Sequence, residues 1–365
     1  VKSLASAVCI GSGGSVGREG PVVQIGSALG SSLGQWLRVP PHRLRLMVAC
    51  GAAGGISATF NAPIAGVFFA LEIILRRFTG EAFGIVALSS VTASIVGRAF
   101  LGNTPFLVLP AFGVHAPEEY LAYAVLGLIA GLLGWAFARV LYLVEDVCDW
   151  LWRGPEWLRP AVGGLLLGGL LLALPEMYGV GYPVMQNGIE GRYALSFLLV
   201  LLVVKMLATS LTIGIGGSGG VFAPSLFIGA MAGTAFGFVL QVWFPALDVS
   251  PGAYGLIGMA AVFAGASHAP IAALVIVFEL TGQYSIILPL MAAVALATGV
   301  SHLVSPRTIY TLKLLRRGID VDADPEPDLL RNLRVGVTMQ QAPPSVAATT
   351  DLTGVTAELD RSDYG

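Results

Sequence analysis

The chain has 365 residues, 55% of them hydrophobic and only 12% charged, with a net charge of −2. Soluble domains carry about 25% charged residues, and half that polarity cannot cover a globule of this size, so a water-soluble fold is excluded and the chain reads as an integral membrane protein. The balanced charge offers no basic field for nucleic acid; three scattered cysteines and four histidines give neither CxxC nor HExxH spacing, so no disulfide framework, metal site or cofactor is expected.

Taken in chain order, the apolar segments differ in kind. Residues 22–36, 46–56 and 63–75 are short and interrupted by Gly and Pro, whereas 120–142, 161–174, 197–213 and 286–304 are long enough to cross, or nearly cross, about 30 Å of hydrocarbon. Short, broken segments in a membrane chain predict discontinuous helices, because non-helical backbone survives there only where protein or water satisfies its amides. The chain opens at Val1 inside an apolar stretch and stops at Asp363-Tyr364-Gly365, and so reads as a fragment.

The sequence also repeats. Gly11–Gly30 aligns with Gly214–Gly233 at a shift of 203 with 9 identities in 20, and Asn61-Ala-Pro-Ile-Ala65 aligns with His268-Ala-Pro-Ile-Ala272 at a shift of 207. Each of the latter pair is followed by a glutamate eleven residues on, Glu72 and Glu279. Two matches in the same order predict a duplicated unit, two halves around one pathway.

Each glycine box is followed by Pro21 or Pro224 near the first turn of an apolar helix. Gly214-x-Gly216-x-x-Gly219 fits the dinucleotide pattern in letters only. No strand precedes it, and no acidic residue follows in 227–240. Two other uses remain: tight packing through Gly26xxxGly30 and Gly229xxxGly233, or an anion cradle of free helix-start amides. Amides with a helix dipole behind them hold an anion without the full charge of Lys or Arg, which suits an ion that must also leave. Arg18-Glu19 sharpens the cradle reading. A carboxylate at the helix start competes for the amides an anion would take, so Glu19 is a candidate proton-controlled plug. Glu72 and Glu279 are expected to be structural carboxylates that bond backbone amides at helix breaks, and Lys205 to be structural or snorkelling.

Gly17-Arg-Glu-Gly-Pro21, Gly220-Val-Phe-Ala-Pro224, Asn61-Ala-Pro with Glu72, and Ser305-Pro-Arg-Thr-Ile-Tyr310 together resemble the CLC chloride channels and chloride/proton antiporters, across residues 1–317. The resemblance implies an all-α membrane fold, an inverted repeat of tilted and broken transmembrane helices, assembled as a homodimer with one anion pathway per subunit. It implies Glu19 as the gating glutamate, anion contacts around Gly17, Arg18 and Gly20 and at Gly220, Val221 and Phe222, and a hydroxyl from Tyr310. The family's serine-containing box would lie before residue 1, and Pro21 favours the chloride branch over fluoride exporters. Antiporters of the family place a proton-relaying glutamate directly after the position of Glu72, where this chain has Ile73. That apolar residue favours a glutamate-gated, voltage- or pH-dependent chloride channel over an antiporter. A transporter of another solute would need further polar side chains, and no catalytic constellation suggests an enzyme.

Of the 42 charged residues, 15 fall in 313–365. Residues 1–317 therefore read as the membrane domain and 318–334 as an acidic, Pro-containing linker. Residues 335–365 resemble the start of a CBS module, and in the family a complete module often binds adenine nucleotides or regulates gating. The basic run 312–317 predicts a cytoplasmic C-terminus at the cell membrane by the positive-inside rule.

Overall fold

The structure, a computed structural model, describes residues 1–321 except 103–106, 108, 111, 114–116, 246 and 248, together with 346–361. Six helices among the described residues are long and apolar enough to cross a membrane, including Glu119–Leu151, Leu195–Gly214 and Phe222–Trp243. The chain forms two compact units, Val1–Tyr310 and Thr311–Gly365. That division falls seven residues before the expected end of the membrane domain, within the short basic helix α14, Ile309–Arg316. Of the second unit, the acidic linker and CBS-like opening at 322–345 lie outside the described residues. What is described ends in helix α15, Leu352–Arg361.

The first unit begins with α1 (Lys2–Gly11), α2 (Glu19–Trp36), α3 (Pro41–Phe60) and α4 (Pro63–Phe69). A wide π turn at Ala70–Leu75 extends α4, and α5 (Gly80–Leu101) and the long α6 (Glu119–Leu151) follow. Then come α7 (Arg159–Ala173), α8 (Tyr182–Ile189), α9 (Leu195–Gly214), α10 (Phe222–Trp243), α11 (Pro251–Ser267), α12 (Pro270–Thr281) and α13 (Ile287–Val304). Three of these helices, α3, α11 and α12, begin at Pro and are capped by a left-handed residue, Asn61, His268 and Gly282 respectively.

The repeat is visible in the backbone. Gly13 and Gly216, equivalent at the shift of 203, both take positive φ (110° and 93°), and Asn61 and His268, equivalent at 207, are the left-handed caps of α3 and α11 (φ 57° and 53°). The α2–α3 pairing recurs as α10–α11. In both, glycines let backbone meet backbone: methyl groups built at Gly26 and Gly30 would strike the carbonyls of Gly51 and Met47, and at Gly229 and Gly233 those of Gly258 and Tyr254. Tight packing by these glycines is therefore real, and it coexists with the helix starts that the same boxes create. Helix α11 is buried from Gly252 to Ser267 and forms the middle of the unit, with α6, α10 and α13 against it.

Candidate anion site at the two helix starts

The two boxes meet. Gly17 N–H donates to the Gly220 carbonyl at 2.8 Å and Gly220 N–H to the Gly17 carbonyl at 2.7 Å, a reciprocal antiparallel bridge joining equivalent parts of the repeats. A methyl built on Gly20 would lie 2.9 Å from the Gly220 Cα, so the two chains touch with no room for a side chain. Beyond the bridge, α2 starts at Glu19 and α10 at Phe222, each with Pro in its third position. First-turn amides have no partner inside their own helix, so both helices present positive ends to the same place.

The Glu19 side chain is 1% exposed and turns into that place. The Tyr182 hydroxyl donates to Oε1 at 2.5 Å. Oε2 lies beside Gly17 and faces the Ala223 amide, but among the described residues it closes no well-aligned hydrogen bond. The carboxylate thus sits between the start of its own helix and the start of the equivalent helix. Phe222 packs against Phe60, Phe69 and Phe263 with ring centroids 5.7, 6.5 and 4.7 Å away, an apolar wall on one side. The Arg18 guanidinium lies 5.9 and 5.8 Å above the rings of Phe60 and Tyr182. Tyr310 and Lys205 stand within electrostatic range of Glu19.

Among the expected residues, Gly17 and Gly220 form the bridge, Gly20 packs against Gly220, Arg18 caps α2, and Val221 and Phe222 open α10. The carboxylate faces the amide of its own residue and, from the start of α10, the amide of Ala223. Tyr182 had no signal in the sequence, because a Tyr in Gly179-Val-Gly-Tyr182 reads equally as an interfacial aromatic. Lys205 does not snorkel: it is fully buried, donates to Ser15 Oγ at 2.9 Å and the Gly179 carbonyl at 3.0 Å, and lies 5.1 Å from the Phe227 ring. Ile73 is half-buried in the π turn. Glu72 accepts from Ile271 and Ala272, and Glu279 from Ile64 and Ala65, so the amides each glutamate bonds belong to the other repeat. No cluster of three or more metal-ligating side chains occurs among the described residues.

Residues 1–302 match the family described as Voltage gated chloride channel. The chain belongs to that family. A ClcB-like relative from Ralstonia nicotianae is 37% identical over 326 residues, 88% of this chain and 75% of its own length. The H(+)/Cl(-) exchange transporter ClcA of Vibrio parahaemolyticus is 34% identical over 339 residues, 91% of this chain and 72% of the relative. A crystal structure titled as a slow cyanobacterial Cl-/H+ antiporter superposes with a TM-score of 0.76 at 29% identity, covering 84% of this chain and 73% of that one. The fold is accordingly the CLC inverted repeat, in an integral membrane protein that transports chloride.

Proposed function

We propose that this CLC chain exchanges chloride for protons, with Glu19 as the group that both ions displace. The observation that carries the reading is the place of the Glu19 carboxylate, buried between the helix starts at Glu19 and Phe222 that the Gly17–Gly220 bridge holds together. An ionised carboxylate and a chloride ion make the same demand on those amides, so one excludes the other. Protonation removes the charge that binds Glu19 there, the side chain leaves, and chloride takes its place. When chloride departs, the carboxyl gives up its proton and returns. Val221, Phe222 and the segment from Gly17 to Gly20 supply the main-chain surroundings of the ion, and Tyr310 supplies a hydroxyl. The assembly expected is a homodimer with one such pathway per subunit.

The Vibrio relative is named an exchange transporter and the cyanobacterial structure an antiporter, which supports exchange over the gated channel that Ile73 suggested; the Ralstonia relative carries a chloride-channel name. Ile73 favours the channel as the second reading, since it has no proton to relay, although water alongside a half-buried side chain can carry one. Paired chloride and proton fluxes from proteoliposomes decide. Exchange predicts proton uptake driven by a chloride gradient and a reversal potential displaced from that of chloride alone. A reversal potential that follows chloride only, with no proton movement, sinks exchange in favour of the channel. Glu19→Gln, which mimics the protonated form, is expected to leave chloride flux insensitive to pH and to abolish proton movement.

A further inference from the structure

We propose that Tyr182 is a latch on Glu19, a positioning residue that holds the carboxylate between the two helix starts and so limits the transport rate. The proposal deepens the reading of Glu19 as the displaced group and rests on it. A phenol hydroxyl in an apolar interior is a burden unless it finds a partner. The partner here is Oε1 of Glu19, at 2.5 Å, while Oε2 closes no comparable bond among the described residues. The Tyr182 hydrogen bond is therefore the strongest side-chain restraint on the carboxylate, and bonds to ionised acceptors are about twice as strong as neutral ones.

The ring is placed before the bond forms. Phe60 meets it edge-on, with centroids 6.4 Å apart and planes at 87°, and the Arg18 guanidinium covers its face at 5.8 Å. The backbone that carries it is tethered as well. Gly181 turns the chain into α8 with φ of 89°, and two residues earlier the Gly179 carbonyl accepts from the Lys205 ammonium at 3.0 Å. The same ammonium donates to Ser15 Oγ at 2.9 Å, in the segment that leads to Glu19. One buried cation thus ties the turn bearing Tyr182 to the segment bearing Glu19, which fixes the reach of the hydroxyl. The turn is closely packed: a methyl built on Gly181 would lie 3.2 Å from the Phe227 ring, beside which the Lys205 ammonium sits.

The latch acts on the ionised carboxylate, so its release has a distinct pH signature. The groups that face Glu19 are Arg18 on its own helix start, Tyr182 on α8, Lys205 on α9, the Ala223 amide on α10 and Tyr310 on α14. Of the two hydroxyls in this set that can be deleted without altering charge, on Tyr182 and Tyr310, the Tyr182 hydroxyl is the one that donates to the carboxylate.

The test compares wild type, Tyr182→Phe, Glu19→Gln and the double variant as full-length proteins in liposomes, with chloride efflux measured from acidic to mildly alkaline pH. The latch predicts that Y182F raises turnover at neutral pH on the order of tenfold, the worth of a hydrogen bond to a charged group, and flattens the rise of flux on acidification. It also predicts that adding Y182F to E19Q changes nothing, because a neutral side chain has no latch to lose. Wild-type turnover and pH profile in Y182F, with E19Q pH-insensitive, overturn the latch and leave the Glu19 reading intact. An equal effect of Y182F in both backgrounds overturns it too, since that marks simple packing. If E19Q keeps its full pH response, the reading of Glu19 fails and takes the latch with it. Should Y182F not accumulate, 3-fluorotyrosine at position 182, a stronger donor, is expected to slow turnover at neutral pH; unchanged or faster turnover overturns the latch.

Discussion

Glu72 and Glu279 cap each other's helices. Glu72, in the π turn of the first repeat, takes the amides of Ile271 and Ala272 at 3.2 and 2.7 Å, and Glu279 takes those of Ile64 and Ala65 at 3.0 and 2.6 Å. In both cases the amides follow a Pro at the first helical position, Pro270 or Pro63, so the two carboxylates satisfy the donors that this helix start leaves open. Glu72→Ala and Glu279→Ala each remove two bonds to a charged acceptor and strand two amides, at a cost of about 2–4 kcal/mol. The expected result is a comparable fall in detergent unfolding temperature for the two variants, with smaller losses for the Gln variants, which keep one acceptor. A drop confined to one of the two glutamates would contradict the reciprocal arrangement.

The Gly17–Gly220 bridge makes a prediction about size. In Gly220→Ala the new methyl would fall 2.7 Å from the Gly20 amide nitrogen, and in Gly20→Ala 2.9 Å from the Gly220 Cα. Neither neighbour is a flexible side chain, so the two helix starts must part, at about 1–3 kcal/mol of overpacking. Both variants are expected to lose chloride binding measured by isothermal titration, whereas Gly169→Ala, whose methyl meets nothing within 4 Å, keeps it. Normal chloride affinity in G220A would show that the closeness of the two starts is unimportant to the ion.

What the sequence disclosed, and what it did not, follows from the range of the interactions. The repeat, the helix starts at the glycine boxes and the burden of a charge at Glu19 are local: glycine, proline and glutamate carry them wherever the rest of the chain goes. The capping by Glu72 and Glu279 spans 199 to 215 residues, and the spacing alone showed equivalent positions without showing that each serves the other. Tyr182 lies 163 residues from Glu19 and Lys205 lies 190 from Ser15, contacts that no periodicity encodes. Of the two places open to Lys205, structural or snorkelling, the fold selects the structural one, because only the fold brings a hydroxyl and a carbonyl to its ammonium. The π turn at Ala70–Leu75 was also invisible, because α12, its equivalent in the second repeat, keeps α geometry.

In the polar tail, Asp351 caps α15: its carboxylate accepts from the Thr353 hydroxyl at 2.6 Å and the Gly354 amide at 3.0 Å. These bonds, the hydroxyl first, hold the carboxyl below the usual aspartate range. A depressed value means that the contribution to helix stability is present above the unfolded aspartate range and is lost as pH falls through the folded value. Amide exchange at residues 352–356 of the full chain is therefore expected to lose protection, relative to intrinsic rates, on acidification through that range. Asp351→Ala should show the reduced protection at every pH. Protection in the wild type that does not vary with pH would refute the cap.

Ile73 offers the sharpest test of how protons travel. It follows Glu72 within the π turn, half-buried, and wide turns of this kind are common at functional sites because they offset a side chain from the regular helical face. With no titratable side chain at this position, the exchange proposed above would carry protons past it on water. Ile73→Glu supplies a carboxyl at a position that water can partly reach, at a stability cost of about 1–3 kcal/mol for its desolvation. The expected outcome in liposomes is a higher ratio of protons to chloride with chloride flux little changed, lost again when Glu19→Gln is added. If I73E leaves the ratio as in the wild type, the π turn does not border the proton route, and protons must reach Glu19 from another side.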